Sequence, residues 1–317
     1  MRAIVLDSTL RMCASYPDPV PHDGDVLVRV LCAGICETDL QLIRGYMAFR
    51  GVLGHEFVGI AETGPFAGRR VVGEINCSCG ACPTCRKGFL THCPHRTTLG
   101  IANRDGAFAD RLILPQRNLH LVPDSLPTDV AVFTEPVAAA FQIPAQISVH
   151  RADRIIVLGD GRLGNLCAQV LAPLAHDVLV IGKHDEKLAL LKSLGIRTAR
   201  VNVVEPGHQA DIVVDCTGSE TGLPAALELV RPRGTIVLKT TVSGRQTLAW
   251  ALFVIDEVTL VGSRCGPFDE ALAALESGRI VVQPLISARF SLDCGVEAIE
   301  CARTRPVLKV LLDVGSA

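Results

Sequence analysis

The rhythm of apolar and polar residues changes near His150. Before that point apolar residues come in short β-type runs, such as Val26-Leu27-Val28-Arg29-Val30, Phe57-Val58-Gly59-Ile60-Ala61-Glu62 and Arg70-Val71-Val72-Gly73, separated by Gly- and Pro-containing stretches. Short strands at close spacing with turn residues between them predict a β-rich barrel or sandwich over residues 1 to 145. Segments poor in apolar residues, Cys77 to His95 and Asn103 to Asp105, predict surface lobes. After His150 the runs become continuous. Arg154 to Leu158, Asp177 to Ile181 and Asp211 to Asp215 read as strands, with helices over Leu163 to Ala175 and Glu186 to Leu194, the second ending at Gly195. The alternation continues through Leu223 to Val230, Thr235 to Leu238, Val258 to Val261 and Phe268 to Leu275. Uninterrupted Val/Ile/Leu strands alternating with helices predict a parallel sheet covered on both faces. Residues 282–317 return to short strands, notably Lys309 to Asp313, and are expected to fold back onto the first domain. The expected division is therefore 1–145 with 282–317, and 146–281.

Length and composition agree with two folded domains. At 317 residues and 33.8 kDa the chain exceeds the usual single-domain size. With 49% hydrophobic and 20% charged residues it has the balance of a globular protein. Lys plus Arg total 31 against 33 for Asp plus Glu, so no broad basic field exists to attract nucleic acid or an anionic membrane. No apolar run reaches the ~18 residues of a membrane span, and Asp7 interrupts the N-terminal apolar residues too early for a signal peptide. A cytoplasmic protein is expected. In that setting thirteen cysteines point to metal ligands or buried thiols rather than disulfides.

Spacing separates the two. Cys79-x2-Cys82-x2-Cys85-x7-Cys93 places four thiols in a Gly- and Pro-containing loop, enough to enclose one tetrahedral zinc with no position left for a substrate. Such a zinc is structural. Cys77 does not fit the spacing. The second motif, Gly159-Asp160-Gly161-Arg162-Leu163-Gly164, follows a predicted strand and opens a predicted helix. In that context the glycines permit a tight turn, and the helix N-terminus receives a pyrophosphate. An NAD site usually has an acid at the end of the next strand to bind the adenosine ribose. Here Gly182, Lys183 and His184 stand there, which favours the 2′-phosphate of NADP, while nearby Asp185 leaves NAD open. A third, scattered set comprises Cys36-Glu37-Thr38-Asp39, Gly54-His55-Glu56 and Thr134-Glu135-Pro136. Cys, His and Glu in one domain beside a dinucleotide fold make a candidate three-ligand zinc site.

In this order along the chain, these motifs resemble the zinc-dependent medium-chain dehydrogenase/reductase family, in its alcohol and polyol branch, similar to sorbitol, threonine and glucose dehydrogenases. The resemblance runs from Met1 to the C-terminal strand and rests on Gly34-Ile35-Cys36 with Thr38-Asp39, Gly54-His55-Glu56-Phe57-Val58-Gly59, the four cysteines, Glu135-Pro136 and the nucleotide turn. It implies an α/β protein with a GroES-like β-rich catalytic domain and a Rossmann doubly wound parallel-sheet domain. It also implies two zinc ions per chain, one structural and one catalytic. Cys36 and His55 would hold the catalytic zinc, with Glu56 or Glu135 as the carboxylate ligand. Asp39 would fix the His55 tautomer from behind. The substrate hydroxyl would be acidified by the zinc and its hydride passed to a nicotinamide, with Thr38 beginning the proton relay. Asp211 to Gly218, Thr217 included, resembles the strand and turn that approach the nicotinamide. Relatives are homodimers or homotetramers. Outside this resemblance, Tyr46 and Phe49 are candidate pocket residues that read more simply as packing, and Arg264 and Lys309 read as solvated charges. Glu37, where many relatives have Gly, either meets a polar substrate or faces solvent. The short stretch from Gly195 to Asp211 has room for a strand but hardly for the usual helix after it. Two other readings remain: a zinc-independent reductase of the same superfamily, and a non-catalytic NADPH-binding redox sensor carrying a four-cysteine zinc lobe.

Overall fold

The computed structural model describes residues 1–203, 207–241, 248, 250–304 and 306–315. Contacts divide the chain into two compact units, Met1–Glu135 with Ala271–Gly278 and Val282–Ala317, and Pro136–Glu270 with Arg279–Val281.

The first unit is built around strand β1, Asp25–Gly34. Its burial alternates up to Val30 and is then continuous to Gly34, as a strand must be when it passes from a half-covered sheet into the interior. Helix α1, Glu37–Ile43, follows it. Along one side β1 pairs antiparallel with β2, Glu56–Ala61, with Gly34 opposite Glu56. Strands β3, Arg70–Gly73, β4, Arg111–Pro115, and β5, Leu119–Leu121, extend the sheet: β3 lies on β2, β5 on β3, and β4 on the first half of β1. Helix α2, Thr134–Gln146, leads out of this part of the chain.

In the second unit β6, Arg154–Leu158, runs into α3, Arg162–Leu171. The helix was expected to reach Ala175 and stops four residues earlier. Pro173 has no N–H to donate to the Gln169 carbonyl, so the regular ladder stops there although Ala172 still has helical backbone and donates to the Ala168 carbonyl at 2.9 Å. Then come β7, Asp177–Gly182, α4, Asp185–Ser193, and β8, Arg197–Arg200. Among the described residues no helix separates β8 from β9, Ala210–Asp215; Gly207 and Gln209 instead donate backbone N–H groups to Glu228 and Leu229. Helix α5, Gly222–Leu229, β10, Val230–Leu238, α6, Trp250–Ile255, and β11, Thr259–Gly262, complete the sheet. The strands are parallel in the order β8-β7-β6-β9-β10-β11, the doubly wound Rossmann arrangement. Ile156, Leu158, Ile181 and Val213 pack with Leu223, Ala226 and Leu227 of α5 in a buried cluster.

After α7, Phe268–Glu276, the chain re-enters the first unit. Strand β12, Ile286–Ser291, and helix α8, Gly295–Arg303, precede β13, Lys309–Asp313. β13 pairs antiparallel with β1, Leu311 opposite Gly34, so the predicted return of the last strands is a return to the centre of the sheet.

Candidate zinc centres and nucleotide turn

The four-cysteine lobe is made by local chain geometry. Cys82 caps the short helix Pro83–Arg86, its Sγ accepting the Cys85 N–H at 3.5 Å, with Pro83 where no N–H is required. Cys93 Sγ accepts the Cys79 N–H, also at 3.5 Å. The sulfurs stand 3.5 Å apart for Cys79–Cys93 and Cys82–Cys85, 3.8 Å for Cys82–Cys93 and 3.9 Å for Cys79–Cys85. Four sulfurs about 2.3 Å from a tetrahedral zinc would be about 3.8 Å from one another, so the cage has the size zinc needs. Backbone N–H groups of Ala81 and Cys82 pull the Cys79 thiol down to about 6, toward the thiolate that binds metal. Cys77 is buried outside the cage, its thiol turned to the Ile75 carbonyl at 3.9 Å.

The second group, Cys36, His55 and Glu56, also brings one donor atom from each residue within 4.8 Å of the others. Here the sheet does the gathering. The pairing of β1 with β2 sets Glu56 across from Gly34, where a Cβ would stand 2.3 Å from Glu56 Oε2. Two residues beyond Gly34, Cys36 caps α1. Asp39 accepts the Cys36 N–H through Oδ2 at 2.8 Å, which leaves Oδ1 at 3.2 Å from His55 Nδ1. Both atoms are buried with no other hydrogen-bond partner, so each is the other's nearest polar neighbour. Burial lowers the basicity of His55, but the neighbouring Asp39 carboxylate outweighs it and lifts the imidazole well above its usual range. Gly54 enters with φ +97, and the Phe108 ring lies 2.3 Å from where a Cβ would be; only glycine presents His55 here.

Lys309 is the residue that sequence reasoning misplaced. It is 2% exposed and forms an ion pair with Oε2 of Glu56, itself 1% exposed. Its ammonium also donates to the Ile35 carbonyl at 3.3 Å and lies 5.5 Å from the Phe133 ring centre. The reading as a solvated charge fails because β13 lies directly against β1, with Ile35 N–H donating to the Val310 carbonyl at 3.0 Å. A lysine opening the apolar run Val310 to Leu312 was the signal for it. Glu56 Oε1 is buried with no hydrogen-bond partner. Such an orphan is costly, and a cation at the common point of the Cys36, His55 and Glu56 donors would remove the cost. A sulfur, a ring nitrogen and a carboxylate oxygen, with one position left open, fit a catalytic zinc.

Glu135, half-buried in the first turn of α2, falls outside this group and has polar interactions of its own. Thr38 Oγ1 lies 3.9 Å from Cys36 Sγ. Glu37 is exposed and engaged along its own helix, accepting from Gln41 at 3.1 Å and lying 3.7 Å from Arg44. Phe49 is buried in packing against Gly51, Tyr46 is half-buried and Arg264 is exposed.

In the second unit, the turn after β6 has the form its glycines require. Gly159 adopts φ +111, Gly161 caps α3, and a Cβ on Gly164 would meet the Gly159 carbonyl at 2.0 Å. Arg162 and Leu163 open the helix, whose N-terminal end suits a pyrophosphate. Gly182 ends β7 as expected, but the space above it is filled. The Asp160 carboxylate lies over it and accepts the N–H groups of Lys183 and His184 at 2.6 and 2.7 Å. His184 Nδ1 adds a contact at 3.0 Å, and Lys183 is exposed. Burial alone would raise the Asp160 pKa, but the bonds from His184 and Lys183 hold it below the usual range. Thr217, exposed at the end of β9, donates its N–H and hydroxyl to Asp215 Oδ1 at 2.9 and 2.8 Å.

Residues 22–124 match the sequence family described as Alcohol dehydrogenase GroES-like domain, and residues 163–277 the family described as Zinc-binding dehydrogenase. A sorbitol dehydrogenase of Halalkalibacterium halodurans is 28% identical over 93% of either chain. An L-threonine 3-dehydrogenase of Saccharopolyspora erythraea is 30% identical over 99% of both. Among solved structures, an Escherichia coli CFT073 protein described as a short chain alcohol dehydrogenase, complexed with NADH, superposes with a TM-score of 0.90 at 26% identity over 99% of each chain. Similarity of this extent, through both units, places the chain in the zinc-dependent medium-chain dehydrogenase/reductase family, among its alcohol and polyol dehydrogenases.

Proposed function

We propose that this dehydrogenase oxidises a secondary alcohol of a sugar, polyol or amino-alcohol, with Cys36, His55 and Glu56 as ligands of a catalytic zinc and NADP favoured over NAD. The observation that carries the zinc assignment is the buried, unpartnered Oε1 of Glu56 within the Cys36–His55–Glu56 group. It also favours Glu56 over Glu135 as the carboxylate ligand. When bound, zinc supplies Lewis acidity toward the substrate hydroxyl and the nicotinamide supplies the hydride acceptor. The protein's own part is positional. Asp39 holds α1 and His55 in one arrangement, and Lys309 neutralises Oε2 of Glu56. Thr38 Oγ1, beside Cys36, would begin a proton relay, accepting the hydrogen bond of the substrate hydroxyl and passing its own proton onward toward solvent. The second zinc, held by Cys79, Cys82, Cys85 and Cys93, is structural.

The nucleotide is held by Gly159, Gly161, Arg162, Leu163 and Gly164 at its pyrophosphate, by the turn of Gly182, Lys183 and His184 at its adenosine end, and by Thr217 toward the nicotinamide. The chain works as a homodimer or homotetramer: Trp250, Val254 and Ile255 of α6 are exposed, and among the described residues β11 is the edge strand of its sheet. Among the described residues no helix is long and apolar enough to cross a membrane, which accords with work in the cytoplasm. Metal analysis with a panel of polyols and amino-alcohols tests the whole reading. Two zinc ions per chain and reduction of NADP by some of the panel are expected. One zinc, confined to the lobe, with undiminished turnover would favour a zinc-independent reductase, and nucleotide binding without turnover a redox sensor.

A further inference from the structure

The adenosine end of the nucleotide site departs from the usual plan in one respect that the glycine motif alone does not reveal. An NAD site places an acid at the end of the second strand, its free oxygens accepting the ribose hydroxyls. That strand is β7, and its last residue is Gly182. A Cβ at Gly182 would lie 2.5 Å from Asp160 Oδ2, so the volume of a side chain at 182 is taken by a carboxylate arriving from the glycine-rich turn. Unlike a strand-end acid, this carboxylate is fully engaged by the protein. Its Oδ2 accepts the N–H groups of Lys183 and His184 at 2.6 and 2.7 Å, and the His184 ring nitrogen lies 3.0 and 3.1 Å from its two oxygens. Asp160 is 6% exposed.

From the far side Arg200, the last residue of β8, donates to the Lys183 carbonyl and lies 3.3 Å from Asp185. The turn after β7 is thus gripped at both peptide groups of Lys183. The Lys183 ammonium stays exposed and makes no ion pair among the described residues. We propose that Asp160 is the residue that sets nucleotide preference, as a positioning residue rather than a ligand. It stands where a ribose-binding acid would stand, spends its oxygens on the 183–184 turn, and so leaves Lys183 and Arg200 as the groups that a 2′-phosphate meets. This rests on the reading of the chain as an NAD(P) enzyme and adds the device by which it discriminates.

The test compares binding of 2′,5′-ADP with that of 5′-AMP, and kcat and KM for NADP and NAD, in the zinc-loaded protein. Losing a charge-assisted contact to phosphate is worth about a factor of ten or more in affinity. Lys183→Ala is expected to weaken 2′,5′-ADP by about that factor more than it weakens 5′-AMP. Asp160→Ala frees the turn, and is expected to raise KM for NADP by a similar factor with kcat for saturated enzyme retained. Gly182→Asp alone is expected to lower Tm, because its side chain collides with Asp160. Asp160→Ala with Gly182→Asp restores Tm and turns the preference to NAD, a non-additive pair. If Asp160→Ala instead weakens NAD and 5′-AMP, Asp160 binds ribose and the proposal is wrong. If the wild type discriminates and Asp160→Ala, folded by its Tm, discriminates equally, the proposal is also wrong. Absence of any nicotinamide binding by the wild type would overturn the proposed function itself.

Discussion

The two cysteine-bearing centres of the first unit solve the same problem in opposite ways. The lobe draws four thiols from fifteen consecutive positions, Cys79 to Cys93, and closes on itself through caps and turns. The other centre takes Cys36 from the end of β1, His55 and Glu56 from the start of β2, and Lys309 from β13. Its ionisable groups are withdrawn from water, so each charge must be matched: Asp39 against His55, Lys309 against one oxygen of Glu56. A locally built cage of four thiols would saturate a zinc and so serve stability. A cage built across strands can leave a donor unsatisfied, and the unsatisfied donor marks where chemistry is possible.

That contrast can be broken by substitution. The largest effect expected is from Cys36→Ala or His55→Ala. Turnover should fall by at least about a thousandfold, as when a metal catalyst is removed. Zinc content should drop by one ion while the Tm stays near that of the wild type. Full turnover in either variant would show that the reaction does not use this centre. Next is Lys309→Met, which strands the Glu56 charge in the interior. A cost of about 3–5 kcal/mol is typical of such a break, read as a lower denaturation midpoint together with weaker zinc retention against a chelator. Lys309→Arg should recover most of both, and an unchanged midpoint in Lys309→Met would mean that the pair carries no weight.

Cys93→Ser in the lobe should reverse the pattern of the Cys36 variant: a Tm several degrees lower, since about 1 kcal/mol moves Tm by a few degrees in a unit of this size, but kcat within a few-fold at low temperature. A collapse of kcat with an unchanged Tm would make the lobe a catalytic element. The smallest effect lies outside both centres. Burial raises the Asp110 carboxyl pKa, but hydrogen bonds from Arg2 more than offset this, and its pKa falls below the usual carboxylate range. Because the folded value is the lower one, its contribution is complete above the ordinary carboxylate pKa and is lost as pH falls through the folded value. Asp110→Asn should therefore lower Tm slightly at neutral pH, with the difference shrinking below about pH 4. A difference that grows in acid would contradict the assignment.

How much of this could be read from the residues follows the same contrast. The nucleotide turn and the alternating strands were legible because a parallel sheet buried on both faces makes every β-residue apolar, and because glycines recur at fixed spacing. The four cysteines were legible for the same reason of locality. Cys36 and His55–Glu56 could be joined only through family resemblance, since nothing in their own spacing shows that Gly34 faces Glu56. Lys309 was read wrongly, because whether a charged residue at a strand end is buried depends on which strand lies beside it. Asp160 was visible only as a variable position between two glycines; its partners stand more than twenty residues away. The helix after β6 ended early at a proline that its apolar pattern had overridden.

The place of β13 against β1 has a consequence in time. Glu56 and Lys309 are 253 residues apart, and at synthesis rates of about 5–20 residues per second the carboxylate waits roughly 10–50 s for its counter-charge. The four thiols of the lobe are all present once Cys93 has been made, whereas the Cys36–His55–Glu56 group still lacks its lysine at that point. The ligand side chains Cys36, His55 and Glu56 are made early, but the charge of Glu56 is balanced by Lys309 only once β13 has docked.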